Sequence, residues 1–451
     1  MTLAEQLVEI ALRPKTEADL IRASLHLMDW LGNIAAAQAS PAGRAALSYT
    51  DMAGLGAAFA PGVRAEDLAF VTGALGNVLE MDDLHRASLL HVGDVVCPAT
   101  LAAALGQNGS GAALLSALVA GYEVAIRIGN AAAAQGYAPW YNSATCGVFG
   151  AAMAAAEIAG LDQPAEALAQ AGMSASGIWQ CRLDPGTGKQ LATARAARDG
   201  VAAAALVRAG FTGPRHILEG TLGFFATYYP DADLSAVLAK PDAHFTLHAV
   251  SFKPYPACRH THAAIAAALD LRSLAPQKIE VSTYGAAIAF CDAPAPHSAH
   301  EARFSLQHCV AVALARGAPE LGDFDAGSRQ DPALATLRDQ VVLSEDPELT
   351  EKFPGEMGAR VILWDQDGTA HSRQRSSAPG DPEDPLSTDA LRKKALRNLT
   401  HGGASGAVAT ALITACAALP EARDLTQLRN ALCAAFTSTP APTGARDAAL
   451  L

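Results

Sequence analysis

Lys278-Ile-Glu-Val-Ser-Thr-Tyr284 alternates apolar and polar residues at period two, the pattern of a strand with one buried face. It is the first such pattern after about 250 residues of helical periodicity, and it decides the fold. Arg360-Val-Ile-Leu-Trp-Asp-Gln-Asp-Gly-Thr-Ala370 reads as a second strand running into a turn. Ser305 to Ala315, between them, reads as helix. The proline-rich stretch Ser376-Ser-Ala-Pro-Gly-Asp-Pro-Glu-Asp-Pro385 closes this region as a boundary.

Outward on both sides the chain is helical. Thr16-Glu-Ala-Asp19 is a capping box opening a helix through Ala37. Segments 65–81, 96–105, 111–131, 147–159, 164–175 and 198–210 follow, broken by Gly, Pro, Asn and Asp. Ser387-Thr-Asp-Ala390 caps a further helix, and helices continue to about residue 435; the tail from Thr437 reads as frayed. The expected fold is therefore mainly α with a smaller α+β domain. Residues 1–250 form the first part of a helical body, 251–380 an inserted α+β lid, and 381–451 the segment that completes the body. A cleft between two such bodies is a natural ligand site.

Half of the 451 residues are apolar and only 6% are aromatic, which suits close-packed Ala-rich helices. The net charge of -12, with no basic stripe, argues against nucleic acid. Eight cysteines without a C-x-x-C pair read as reduced thiols in a cytoplasmic protein and argue against a zinc ribbon or a compact iron–sulfur motif. No signal peptide is evident, and the longest apolar runs, such as 111–121, read as buried helix too short for a bilayer, so no membrane partner is expected.

Four polar islands interrupt this apolar frame. Asp82, Asp83, His85 and His91 lie within ten residues; carboxylate plus imidazole is common equipment for moving protons at carbon. Asp184-Pro-Gly-Thr-Gly-Lys189, followed by Arg195, reads either as an anion cradle at a helix start or as a solvated surface turn; its spacing is not that of a P-loop. Lys253-Pro-Tyr-Pro-Ala-Cys-Arg259-His260-Thr-His262 sits at the domain junction. No third ligand lies near its two imidazoles in sequence, so a carboxylate-binding hinge is expected in preference to a metal site. Tyr141-Asn-Ser143-Ala-Thr145 leads into a helix, where Ser143 or Thr145 caps the helix or Tyr141 offers a phenol to a ligand.

Taken in order, these motifs resemble the MmgE/PrpD family. They are Leu79-Glu-Met-Asp-Asp-(x)7-His91-(x)6-Pro98-Ala, Lys189 with Ala196-Ala-Arg-Asp-Gly-Val201, Gly210-Phe-Thr-Gly-Pro214, the segment from Lys253 to His262, Ala302-Arg-Phe-Ser-Leu-Gln307, and Gly380-Asp-Pro-Glu-Asp-Pro-Leu-Ser387. The resemblance implies a helical domain with an α+β lid, a homodimer, no metal and no organic cofactor. It also implies acid–base chemistry on a small di- or tricarboxylate, as in 2-methylcitrate dehydratase, cis-aconitate decarboxylase and iminodisuccinate epimerase. A dehydratase-type hydro-lyase is the first expectation; decarboxylase, epimerase or a catalytically idle carboxylate-binding dimer are the alternatives. The family's site maps onto Asp82, Asp83, His91, Lys189 and His262 as catalytic positions. Tyr141, Arg195, Lys253, Arg259 and His260 are the expected substrate contacts. Tyr141 stands where many members carry a histidine, Ala192 and Ala194 where a His or Gly is common, and Val92 where proline usually follows His91.

Overall fold

The computed structural model describes residues 1–436 apart from 108, 185, 241–243 and 275, so the expected fraying from Thr437 lies outside the described residues. The Glu17–Ala37 helix opens at Thr16, whose side chain accepts from the Asp19 amide while the Asp19 carboxylate accepts from the Thr16 amide. Ser387 likewise caps Thr388–His401. These two helices pack together although more than 350 residues separate them in sequence, so the C-terminal segment completes the helical body. Its core runs from Ala4 to Phe252 and then from Leu391 to Phe436.

Small residues set the spacing in that core. The Gly147–Ala159 helix crosses Gly111–Ala132 at Gly150 and Gly121, where a Cβ on Gly150 would stand 2.4 Å from the Gly121 carbonyl oxygen. Only glycine permits that approach. Gly188–Arg208 crosses the same helix at Gly200, against Ala151.

The smaller body has its own core, built on residues 255–363. A four-stranded sheet runs in the order β2-β1-β3-β4, with β1 Lys278–Thr283, β2 Val341–Glu345, β3 Ala359–Trp364 and β4 Ala370–Arg375. β1 pairs parallel with β2 and antiparallel with β3, placing Val281 opposite Val361. Ile279, Val281, Ala359, Val361 and Leu363 are fully buried in one core with the His262–Leu269 and Leu306–Ala315 helices, and the alternate residues face outward.

Four expectations are corrected. The helix expected over 65–81 ends at Gly73, and the chain turns through Glu80, whose φ of 54° is left-handed. The helix expected from Arg198 begins ten residues earlier, at Gly188. The two edge strands β2 and β4 were not expected: β2 opens on three successive apolar residues, Val341-Val-Leu343, and β4 is almost wholly polar, so neither shows the alternation that marks β1. Finally, Gly111–Ala132 spans 22 residues at a mean hydropathy of 1.5, long and apolar enough to cross a membrane, yet 83% of that window is buried inside the body. Its Glu123–Arg127 ion pair is buried too, as suits a core helix.

The chain crosses between the bodies twice, and the crossings are hydrogen-bonded together. Phe252 on the way out donates its amide to the Gly380 carbonyl on the way back, at 2.9 Å. Asp381 clasps the junction: one oxygen accepts from Ser251 Oγ (2.7 Å), the other from the Ala378 amide (2.8 Å) and Arg259, with Arg86 at 3.6 Å.

Candidate active site

The segment 80–94 is a tight loop held by mutual backbone bonds between His85 and Leu90 and by the capping of His91 N–H on Ser143 Oγ (2.9 Å). Leu84 forms an antiparallel bridge with Ser251, donating to and accepting from it. That register, continued two residues each way, sets Asp82 opposite Lys253. The Lys253 ammonium lies 3.1 Å from Asp82 Oδ1 and 3.4 Å from Glu80 Oε2. Lys189, at the start of the Gly188–Arg208 helix, pairs with the other Glu80 oxygen. The His91 ring stands in close contact with Asp82 Oδ2, although the contact is not aligned as a hydrogen bond, and both atoms are without an aligned partner. Three of the polar islands thus converge on one cluster.

Burial layers that cluster. The side chains of Glu80, Asp82 and Lys253 are at most 3% exposed, whereas those of His91 and Lys189 are 16% and 11% exposed. The reachable face therefore carries an imidazole and an ammonium. Below it, burial opposes ionisation of Glu80 and Asp82, but Lys189 and Lys253 on the first, and His91 and Lys253 on the second, outweigh it and hold both carboxyls low. Burial likewise opposes charge on Lys189 and Lys253; Glu80 and Asp82 outweigh it and push both up. Tyr141 is buried, stacked on Trp179 at 4.5 Å between ring centroids, and its hydroxyl has no partner. Burial pushes its pKa well up against the opposing charge of Lys189.

The floor comes from the distant C-terminal segment. Lys394 on Thr388–His401 donates to the Met81 carbonyl (2.7 Å) and pairs with Asp29 (2.8 Å).

Not every expected residue joins the cluster. Asp83 points the opposite way from Asp82. It accepts from Tyr122 (2.7 Å), His26 Nδ1 (2.8 Å) and the Gly93 amide (2.8 Å), so both oxygens are used in holding the loop. Burial takes the His26 pKa down to about 4 against the pull of Asp83, so this contact is a neutral imidazole donating, not an ion pair. His260 has both nitrogens engaged, by Tyr284 at 2.6 Å and Tyr137 at 3.1 Å, and burial beside Arg259 takes its pKa to about 3. His262 bonds the Ala257 carbonyl at 3.0 Å beside Tyr255, with Nδ1 unpartnered; burial, then the charges of Arg259 and Lys253, hold its pKa well down, and no hydrogen bond or ion pair joins it to His91 or Lys189. Arg259 pairs with Asp381 through Nη2, and its buried Nη1 is left without a partner. Arg195 is exposed: six residues beyond Lys189 is about 240° around a helix, the far face.

Three side chains gained no role from the sequence. Glu80 joins the two lysines, and its signal was membership of the same polar island. Arg303, inside the quoted Ala302–Gln307 motif, is buried on the smaller body with Nε unpartnered and, among the described residues, no carboxylate within ion-pair distance; burial takes its pKa to about 10 although Glu80 opposes the shift. Asp94, fully buried, has neither oxygen partnered. Among the described residues Asp82, His91 and Asp94 bring ligand-type atoms within 4.8 Å of one another. Lys253 and Lys189 already supply positive charge to this space, so no metal ligand is assigned here.

Comparison with known proteins agrees in order and extent. The family model for the MmgE/PrpD N-terminal domain matches residues 1–236, and that for the MmgE/PrpD C-terminal domain matches residues 255–418. Cis-aconitate decarboxylase of Mus musculus is 29% identical over 351 residues, 72% of this chain and 70% of its own. Cis-aconitate decarboxylase of Homo sapiens is 28% identical over 72% of this chain and 71% of its own. Cis-aconitate decarboxylase-like protein oryM of Aspergillus oryzae is 30% identical over a shorter stretch, 39% of this chain and 38% of its own. With both halves matched, the chain belongs to the MmgE/PrpD family, which has polycarboxylate-acting lyases among its members.

Proposed function

We propose that this protein is a cofactor-independent lyase that moves a proton at the carbon beside a carboxylate of a small di- or tricarboxylate. The observation that carries the reading is the pairing of His91 with buried Asp82 beside Lys189, with His91 and Lys189 alone of that group reaching accessible space. His91 serves as the base, and Asp82 stabilises the imidazolium that forms. Lys189 and the unpaired Arg303 hold substrate carboxylates and take up the charge that develops as the carbon acid ionises. Lys253 stays beneath, keeping Asp82 and Glu80 ionised.

Elimination of water from a 2-hydroxy polycarboxylate of the 2-methylcitrate kind is the favoured reaction. It needs one base and one group that keeps its proton until a hydroxyl leaves; the Tyr141 phenol, held protonated by burial, suits the second role. Decarboxylation is the second reading, favoured by the names of the similar proteins. A homodimer through the helical body, in the cytoplasm, belongs to the same proposal. The body leaves Leu222, Met173, Ile178, Leu183 and Phe211 exposed, surface that a second copy would cover, and six of the eight cysteines are buried thiols.

The test is a panel of 2-methylcitrate, citrate, cis-aconitate and iminodisuccinate followed by NMR in heavy water. Deuterium entering at carbon supports proton transfer, and conversion of the hydroxyl-bearing carbon's resonance into an alkene resonance, with no carbon lost, identifies a hydro-lyase. No exchange and no turnover on any member, with the protein folded, overturns the reading.

A further inference from the structure

We infer that Asp94 is a neutral carboxylic acid at neutral pH, donating a hydrogen bond to Asp82 from beneath and so fixing the carboxylate that faces His91. Asp94 is 0% exposed, and neither of its oxygens has a partner among the nitrogen and hydroxyl donors around it. Among the described residues no cation stands within ion-pair distance of it. A buried carboxylate without a donor or a cation is among the costliest groups in a protein, and giving it a proton removes that cost. Its neighbour in reach is Asp82, with carboxyl oxygens of the two within 4.8 Å of one another, and two buried carboxyl groups that close are relieved of their repulsion when one of them keeps its proton. Asp82 has Lys253 at 3.1 Å and His91 against it, so Asp82 is the anion and Asp94 the acid. Burial first, then the charge of Asp82 and their mutual bond, raise the Asp94 pKa; Lys189 opposes weakly.

The packing around Asp94 leaves no room for water to solvate it. A Cβ on Gly76 would fall 2.0 Å from Asp94 Oδ1 and 3.1 Å from Trp30 Nε1, so this turn accepts glycine alone. The remaining groups facing this pocket are His26, Asp29, Asn33 and Asp83, of which Asp83 is already satisfied. With Asp94 neutral, Glu80 and Asp82 balance Lys189 and Lys253, and the cluster becomes net positive when His91 takes a proton. That polarity suits a polyanionic ligand. Asp94 touches no substrate; it is a positioning residue acting through Asp82, and its role rests on the assignment of Asp82 and His91 above.

Infrared difference spectra of wild type against Asp94→Asn, at neutral pH and without substrate, test the protonation directly. The expected result is one carboxylic-acid carbonyl band in the wild type that shifts in heavy water and is missing in the variant. No such band, or a band that persists in Asp94→Asn, overturns the inference. Loss of the band on adding Mg2+ or Zn2+ also overturns it, in favour of a cation site. Because the spectra need no turnover, a protein inactive on every substrate that still shows the band would sink the proposed function and leave the protonation of Asp94 standing. The positioning role is read from carbon–deuterium exchange. Asp94→Asn, whose amide still donates to Asp82, should recover most of the roughly tenfold or larger loss expected of Asp94→Leu, both retaining wild-type melting. Equal losses in the two variants overturn the positioning role, and if Asp94→Leu fails to fold, the spectra of Asp94→Asn decide.

Discussion

Two buried ionic clusters lie close together in this molecule and are built to opposite rules. At the junction, Asp381 has each oxygen engaged, by Ser251, Ala378 and Arg259, and of these groups Arg259 Nη1 is the one left without a partner. In the cluster around His91, Asp82 Oδ2, His91 Nδ1 and the Tyr141 hydroxyl are without aligned partners. Buried polar groups are normally bonded, so a concentration of exceptions marks the place where a ligand supplies what is missing. The nearly satisfied cluster ties the two crossings together; the other leaves its gaps beside the accessible imidazole.

The sharpest way to break that contrast is His91→Asn. It should lower turnover roughly a hundred- to ten-thousand-fold, the usual range for losing a general base, with melting unchanged. A loss of stability comparable to the loss of rate would make the His91 cluster structural. Asp381→Ala should do the converse. It strands Arg259 and should cost about 3 kcal/mol or more in denaturant unfolding. A variant as stable as wild type would show that the clasp holds nothing.

Acid should weaken the fold through its buried imidazoles. Burial lowers His26 and His85 to about 4 and His260 to about 3, so all three stay neutral in the fold and take a proton once unfolded. Groups depressed in this way add stability above the unfolded histidine pKa and lose it as pH falls toward the folded values. Between pH 7 and pH 5 each should remove roughly 1–2 kcal/mol, readable as a falling denaturation midpoint. A midpoint flat over that window would show that these rings are solvated. Tyr141→Phe deletes a hydroxyl without an aligned partner, so stability should hold while turnover drops about a hundredfold or more, the usual range for losing a general acid. Unchanged kinetics would remove Tyr141 from the site. Smallest of all, Arg195→Ala on the exposed far face should change stability by no more than about 0.5 kcal/mol and leave turnover alone.

Local signals in the sequence were legible where the physics is local. Thr16 and Ser387 announce their helices because caps are read over four residues, and Lys278–Tyr284 announces its strand because one face is buried. β2 and β4 stayed hidden because neither alternates: β2 opens on three apolar residues in a row and β4 is almost wholly polar. The site was legible as islands but not as bonds. Asp82 and Asp83 are indistinguishable in sequence, and the Leu84–Ser251 register turns one toward Lys253 and leaves the other to His26 and Tyr122. Lys394 and Asp29 were out of reach because they meet across 365 positions of chain. Arg195 misled because proximity to Lys189 along the chain says nothing about the face of the helix.

The double crossing at Phe252 and Gly380 bears on mechanics as well as on connection. Lys253 follows directly on the outgoing strand, so the deepest charge of the site sits at the pivot about which the smaller body would swing. Points near a pivot barely travel while remote points sweep an arc. Rotation of the sheet and its helices would therefore carry Arg303 and the rim toward or away from Lys189 while leaving the Lys253–Asp82 distance almost constant. Any such rotation would leave the electrostatic setting of the floor as it is.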